Sequence, residues 1–114
     1  MEKIIEVLCN LSGNKVPVTK ENIKAMKRYY ASSADIYEED IEIIEEKRTK
    51  AIKDFNRFKI LNEETPEIIR EKFFETSALF DEFDKQELED RNEIARYRLV
   101  VKILENLEKL EGWE

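Results

Sequence analysis

The chain has 114 residues, 41% apolar and 41% charged, with two glycines, two prolines and a net charge of −7. That length supports one domain with its own core. So few turn formers beside so many charges exclude a sheet protein and favour long solvated helices. The negative field works against phosphate backbones unless a basic patch is set aside for them.

Met1 to Leu11 carries Ile4, Leu8 and Leu11 on one helical face, with Cys9 among Val7, Leu8 and Leu11 as a buried inert thiol. As the lone cysteine it makes no internal disulfide. Ser12-Gly13-Asn14 reads as a turn, and Pro17 keeps Val16 extended. Thr19 then caps a helix, with Val18 stapled onto Ile23. From there Ile23, Met26, Tyr30, Ala34, Tyr37, Ile41, Ile44, Arg48, Ile52 and Phe55 recur at three or four residues, so one long helix is expected from about Lys20 to Leu61. The mean spacing lies nearer 3.6 than 3.5, which favours globular packing over an extended coiled coil. Ser32-Ser33 is where a kink or break would fall, because Ser33 can cap a new helix.

Asn62 to Glu67 is the strongest punctuation in the chain: Thr65 as N-cap, Pro66 at the first helical position, and Glu64 and Glu67 near the positive helix end. The chain reverses here into a segment with a broad aromatic face. Asp84 and Glu87 stand in capping-box spacing, so a further helix is expected from about Lys85 to residue 111, the alternative being that the preceding helix continues through. Within it Ile94 to Leu110 is the most apolar run, its stripe widened by Leu99, Ile103 and Leu110 until it needs partners on more than one side. Gly112 ends it, with Trp113 folding back on Leu107. The fold expected is all-α: a single helical domain over 1–114, a bundle of four to five helices around that last one.

Charge comes in blocks of alternating sign. Residues 47–62 hold six basic and one acidic residue, and 63–93 hold twelve acidic and four basic. A hairpin at Glu63 would bring Arg57 near Glu71 and Lys53 near Glu75. It would also offer Glu75 or Glu82 to Arg48, a cation in the middle of an apolar stripe. The acidic run 38–46 places Glu38, Glu42 and Glu45 on a ridge beside that stripe, a docking surface for a partner with a basic surface or a mimic of nucleic-acid phosphates.

Without histidine, and with no Gly-rich loop to cradle phosphate, nucleophilic and zinc chemistry lack their usual groups. The function expected is non-enzymatic: a small acidic helical subunit, adaptor or inhibitor that binds another protein, needs no cofactor or metal, and forms a homodimer through surplus apolar surface. The contact residues expected are Glu38, Glu42, Glu45, Phe73, Phe74, Phe80 and Trp113. One alternative is DNA binding through the basic helix 20–30, by Lys20, Lys24, Lys27 and Arg28. The other is magnesium held by carboxylates, because Glu42-Ile43-Ile44-Glu45 and Glu87-Leu88-Glu89-Asp90 each put two carboxylates on one face. This resembles the ExxE and ExxD pairs of the all-helical MazG-type nucleotide pyrophosphohydrolases, and the resemblance implies a magnesium-dependent hydrolase. Ser12 to Met26 is similar to the opening of archaeal and eukaryotic acidic ribosomal stalk proteins; it covers some fifteen residues and, without that family's hinge and acidic tail, implies nothing further. No stretch approaches the ~20 apolar residues of a membrane span, and the start lacks a signal-peptide pattern, so the cytoplasm is the expected compartment.

Overall fold

The computed structural model describes residues 18–110. Two long helices take up nearly all of them: α1, Ile23–Leu61, with 39 residues, and α2, Pro66–Glu108, with 43. The expected bundle of four to five helices is therefore corrected to two helices among the described residues. The helix read at Met1–Leu11 and the Gly112-Trp113 ending lie outside them.

Local chemistry explains each boundary. Thr19 and Asn22 cap one another: the Asn22 amide donates to Thr19 Oγ1 at 3.2 Å and the Thr19 amide to Asn22 Oδ1 at 2.7 Å. This is a capping-box exchange with Asn in the Glu position. Val18 and Ile23 are both buried and close the staple. α1 then passes Ser32-Ser33 unbroken, because the Ser33 hydroxyl donates to the Tyr29 carbonyl at 2.9 Å and is satisfied inside the helix.

At the end of α1 the Asn62 amide and Nδ2 both donate to the Phe58 carbonyl, at 3.0 and 2.9 Å. The Thr65 amide and hydroxyl both return to the Asn62 carbonyl, at 2.9 and 3.0 Å. The Thr65 carbonyl accepts from Ile68 at 3.1 Å, so Thr65 starts α2 through its backbone while its hydroxyl stays in the turn. Pro66 follows where no donor is needed. The expected new start near Lys85 does not occur. Asp84 and Glu87 cap nothing; both accept from the Arg48 guanidinium, and α2 runs through them.

Packing divides the chain into two compact units. In the first, residues 18–38 with 91–110, the core is Val18, Ile23, Tyr30, Val100, Leu104 and Leu107, with Met26, Tyr97, Val101 and Ile103 against it. Tyr97 stacks between Tyr30 and Tyr37, its ring centroid 5.8 and 6.0 Å from theirs. The run Ile94 to Leu110 does carry the deepest side chains, Leu104 at 0% and Val100 and Leu107 at 1% exposed. Its stripe is narrower than expected, however: Leu99 and Leu110 are exposed, because among the described residues one helix packs on this run and shelters only the side it touches.

The second unit, Glu39–Asp90, is the helical hairpin proper. Its sheltered positions from Ile41 onward are Ile41, Ile44, Arg48, Ala51, Phe55 and Phe58 on α1 and Asn62 just past its end, with Asp40 beside Ile41; on α2 they include Ile69, Thr76, Phe80, Phe83, Glu87 and Asp90. The α1 set alternates steps of three and four, the seven-residue repeat of coiled-coil packing. This corrects the expected 3.6-residue stripe. From Arg48 the seam steps to Ala51, and Ile52 is left half exposed.

Leu104→Ala should lower the free energy of unfolding by about 2–5 kcal/mol, whereas Ile36→Ala, on the exposed side of the same unit, should change it by less than about 1 kcal/mol. Denaturant titration of the two variants checks this.

Candidate functional site

The seam of Glu39–Asp90 is built around polar side chains. Arg48 sits where an apolar residue would complete the repeat, its side chain 14% exposed. Its Nη2 donates to Asp84 Oδ1 at 2.7 Å and Glu87 Oε2 at 2.8 Å, and its Nη1 to Glu45 Oε1. The hydrogen bond to Glu87, ahead of those to Glu45 and Asp84, holds the guanidinium firmly in its charged form. The partners expected from the sequence, Glu75 and Glu82, face away from the seam and are exposed. Nor do Arg57 and Glu71, or Lys53 and Glu75, pair; among the described residues, ion pairing between the two helices of this unit runs through Arg48. Three carboxylates around one guanidinium leave the cluster acidic.

A second polar group lies further along the same seam. Asp90 is 1% exposed; its Oδ1 accepts from Gln86 Nε2 at 3.0 Å, and its Oδ2 has no donor. Burial first, and then the Asp40 carboxyl of α1 against it, push the Asp90 carboxyl up to about 6, with Glu89 adding to the repulsion and Gln86 opposing it. A proton on Asp90 gives the pair the donor that it otherwise lacks. Both residues could have been noticed in the sequence by the signal that singled out Arg48, a charge on or beside a sheltered stripe.

Outside the seam the unit exposes several large apolar side chains among its charges. Ile44 is its one fully buried apolar side chain among the described residues, while Ile60, Leu61, Phe73 and Phe74 are 73%, 76%, 53% and 63% exposed. They lie on both sides of the turn. Phe73 contacts Phe55 and Phe74 edge-on at 6.1 and 6.0 Å, and Phe80 is half-buried against Phe83. Of the other contact residues named from the sequence, Glu42 is exposed and Glu45 belongs to the Arg48 cluster. Glu38, in the first unit, pairs with Arg98. Trp113 lies outside the described residues.

In that first unit Lys24, Lys27 and Arg28 line an open groove of about 420 Å³ with Ala31, Val101 and Glu105. Lys27 pairs with Glu108, so the groove carries acid as well as base; Lys20 lies exposed before α1. The carboxylates read as magnesium ligands have other company: Glu45 and Glu87 hold Arg48, and Asp90 faces Asp40. Among the described residues no three His, Cys, Asp or Glu side chains gather as a metal site, and no helix is long and apolar enough to cross a membrane. No protein-family model, curated protein or solved structure matches the chain.

Two outcomes follow from the seam. Glu87→Met alone should destabilise the chain more than Glu87→Met combined with Arg48→Met, since the single change takes from a sheltered cation its most buried carboxylate partner, and unfolding titrations of both decide it. For Asp90 the raised value means that the folded chain keeps a proton which the unfolded chain has lost. Its contribution is complete below the unfolded value of 3.8 and disappears as pH rises through about 6. Asp90→Asn, which cannot ionise, should therefore raise stability at neutral pH by about 1–3 kcal/mol and leave it unchanged near pH 4, measured as unfolding free energy against pH.

Proposed function

We propose that the chain is a non-enzymatic protein-interaction module, a small acidic helical subunit, adaptor or inhibitor, in which the hairpin Glu39–Asp90 meets the partner. One observation carries this reading: four large apolar side chains around the turn, Ile60, Leu61, Phe73 and Phe74, are each more than half exposed, on a hairpin that fully buries only Ile44 among its apolar residues. Single apolar side chains on a surface need no explanation, but four large ones within about a dozen residues of one turn point to an interaction site. Covering each contributes on the order of 1.5–3 kcal/mol, enough for a few anchors to hold a complex. The polar seam supports the same reading, because it sets the two helices in one register and so presents a preformed surface.

Lysine-directed cross-linking in the cells that express the chain tests it, with Lys53, Lys59 and Lys72 as reporters beside the apolar cluster. Cross-links from these lysines, whether to another protein or to a second copy, should be lost in Phe73→Ser with Phe74→Ser, with helical circular dichroism unchanged. Cross-links that persist in the double variant overturn the reading.

A further inference from the structure

Contacts distinguish two faces of the unit Glu39–Asp90. On one, Lys47, Lys50 and Asp54 of α1 and Lys72 and Leu79 of α2 line a shallow groove of about 260 Å³. On the other, Arg48 joins Glu45 of α1 to Asp84 of α2. Helical spacing from those two carboxylates puts Ile52 and Lys59 of α1, and Glu67, Arg70, Phe73 and Asp81 of α2, on this second face. Ile52 is 50% and Phe73 53% exposed.

Read outward from the turn, the second face is basic, then apolar, then acidic. Lys59 and Arg70 outnumber Glu67 at the turn end, Ile52 and Phe73 lie in the middle, and Asp81 with the net-acidic Arg48 cluster at the far end. Among the described residues none of Lys59, Arg70 and Asp81 forms an ion pair. A face with that order is complementary to itself turned end for end. A two-fold axis through its apolar middle lays the basic end of each copy on the acidic end of the other and covers Ile52 and Phe73 from both sides. The same faces laid side by side in one direction would set base on base and acid on acid. Resting on the interaction reading above, we infer that the occupant of this face is a second copy of the chain. Two hairpins pack antiparallel through it and complete a four-helix arrangement.

Solution mass measured over a concentration range tests the pairing on the full chain. The wild type should be a dimer. Lys59→Glu with Arg70→Glu should weaken self-association at least about tenfold, as should Asp81→Lys with Asp84→Lys, because each puts like charges at both ends of the pair. Mixing the two variants should restore the dimer, since each then meets the opposite sign at both ends, a rescue that loss of folding in either variant could not produce. A monomeric wild type, a dimer indifferent to both variants, or no recovery on mixing overturns the inference. A monomer that still forms Phe73- and Phe74-dependent cross-links to another protein overturns the self-pairing alone; cross-links indifferent to those residues overturn the interaction reading beneath it.

Discussion

Two helices laid side by side shelter only the strip that each turns to the other, and most of this molecule follows from how those strips are filled. In residues 18–38 with 91–110 the strip is apolar and aromatic, Val18 adds cover from before α1, and the side chains at its centre lose all contact with water. In Glu39–Asp90 the strip is given over in large part to Arg48, Thr76, Glu87 and Asp90. Apolar residues that a second layer would have absorbed stay outside. The exposed surface of that unit is thus the counterpart of its polar seam.

The seam also shows two solutions to one problem. A charge held away from water must be met by an opposite charge or given up. Arg48, which cannot be deprotonated, gathers three carboxylates. Asp90, which can be neutralised, holds its proton against Asp40 up to about pH 6. Both narrow the pairings open to the helices: sliding them by one seven-residue repeat towards the turn would exchange Glu87 for Phe80 opposite Arg48 and strand the cation. Such layers give up some stability, relative to apolar packing, for a single register.

How far the fold could be read from the sequence depended on whether a signal was local. Thr19 as N-cap, Val18 with Ile23 and the Asn62–Pro66 reversal rest on neighbouring residues, and the sequence spells them out. The continuity of α2 through Asp84 does not, because a capping-box spacing and a pair of carboxylates awaiting an arginine from the other helix look the same in one dimension. Ala51 and Ile52 pose the same difficulty: hydrophobicity favours Ile52 for the seam, whereas the seven-residue geometry selects Ala51. At the candidate site Phe73 and Phe74 stood out as large apolar residues. Ile52 was assigned to the core, and Asp90 was read as a metal ligand, because neither exposure nor a facing carboxylate is visible before the partner helix is in place.

The ring stack of Tyr97 between Tyr30 and Tyr37 belongs to a wider segregation. All four tyrosines, with Tyr29 the fourth, lie in residues 18–38 with 91–110, and all six phenylalanines lie in Glu39–Asp90. The chain therefore carries its own optical label for one half. Tyrosine difference absorbance, separated from the Trp113 band, follows the stacked half, whereas amide dichroism averages over both. Any gap between the two signals during melting measures directly how far the halves of a continuous helix can lose their order separately.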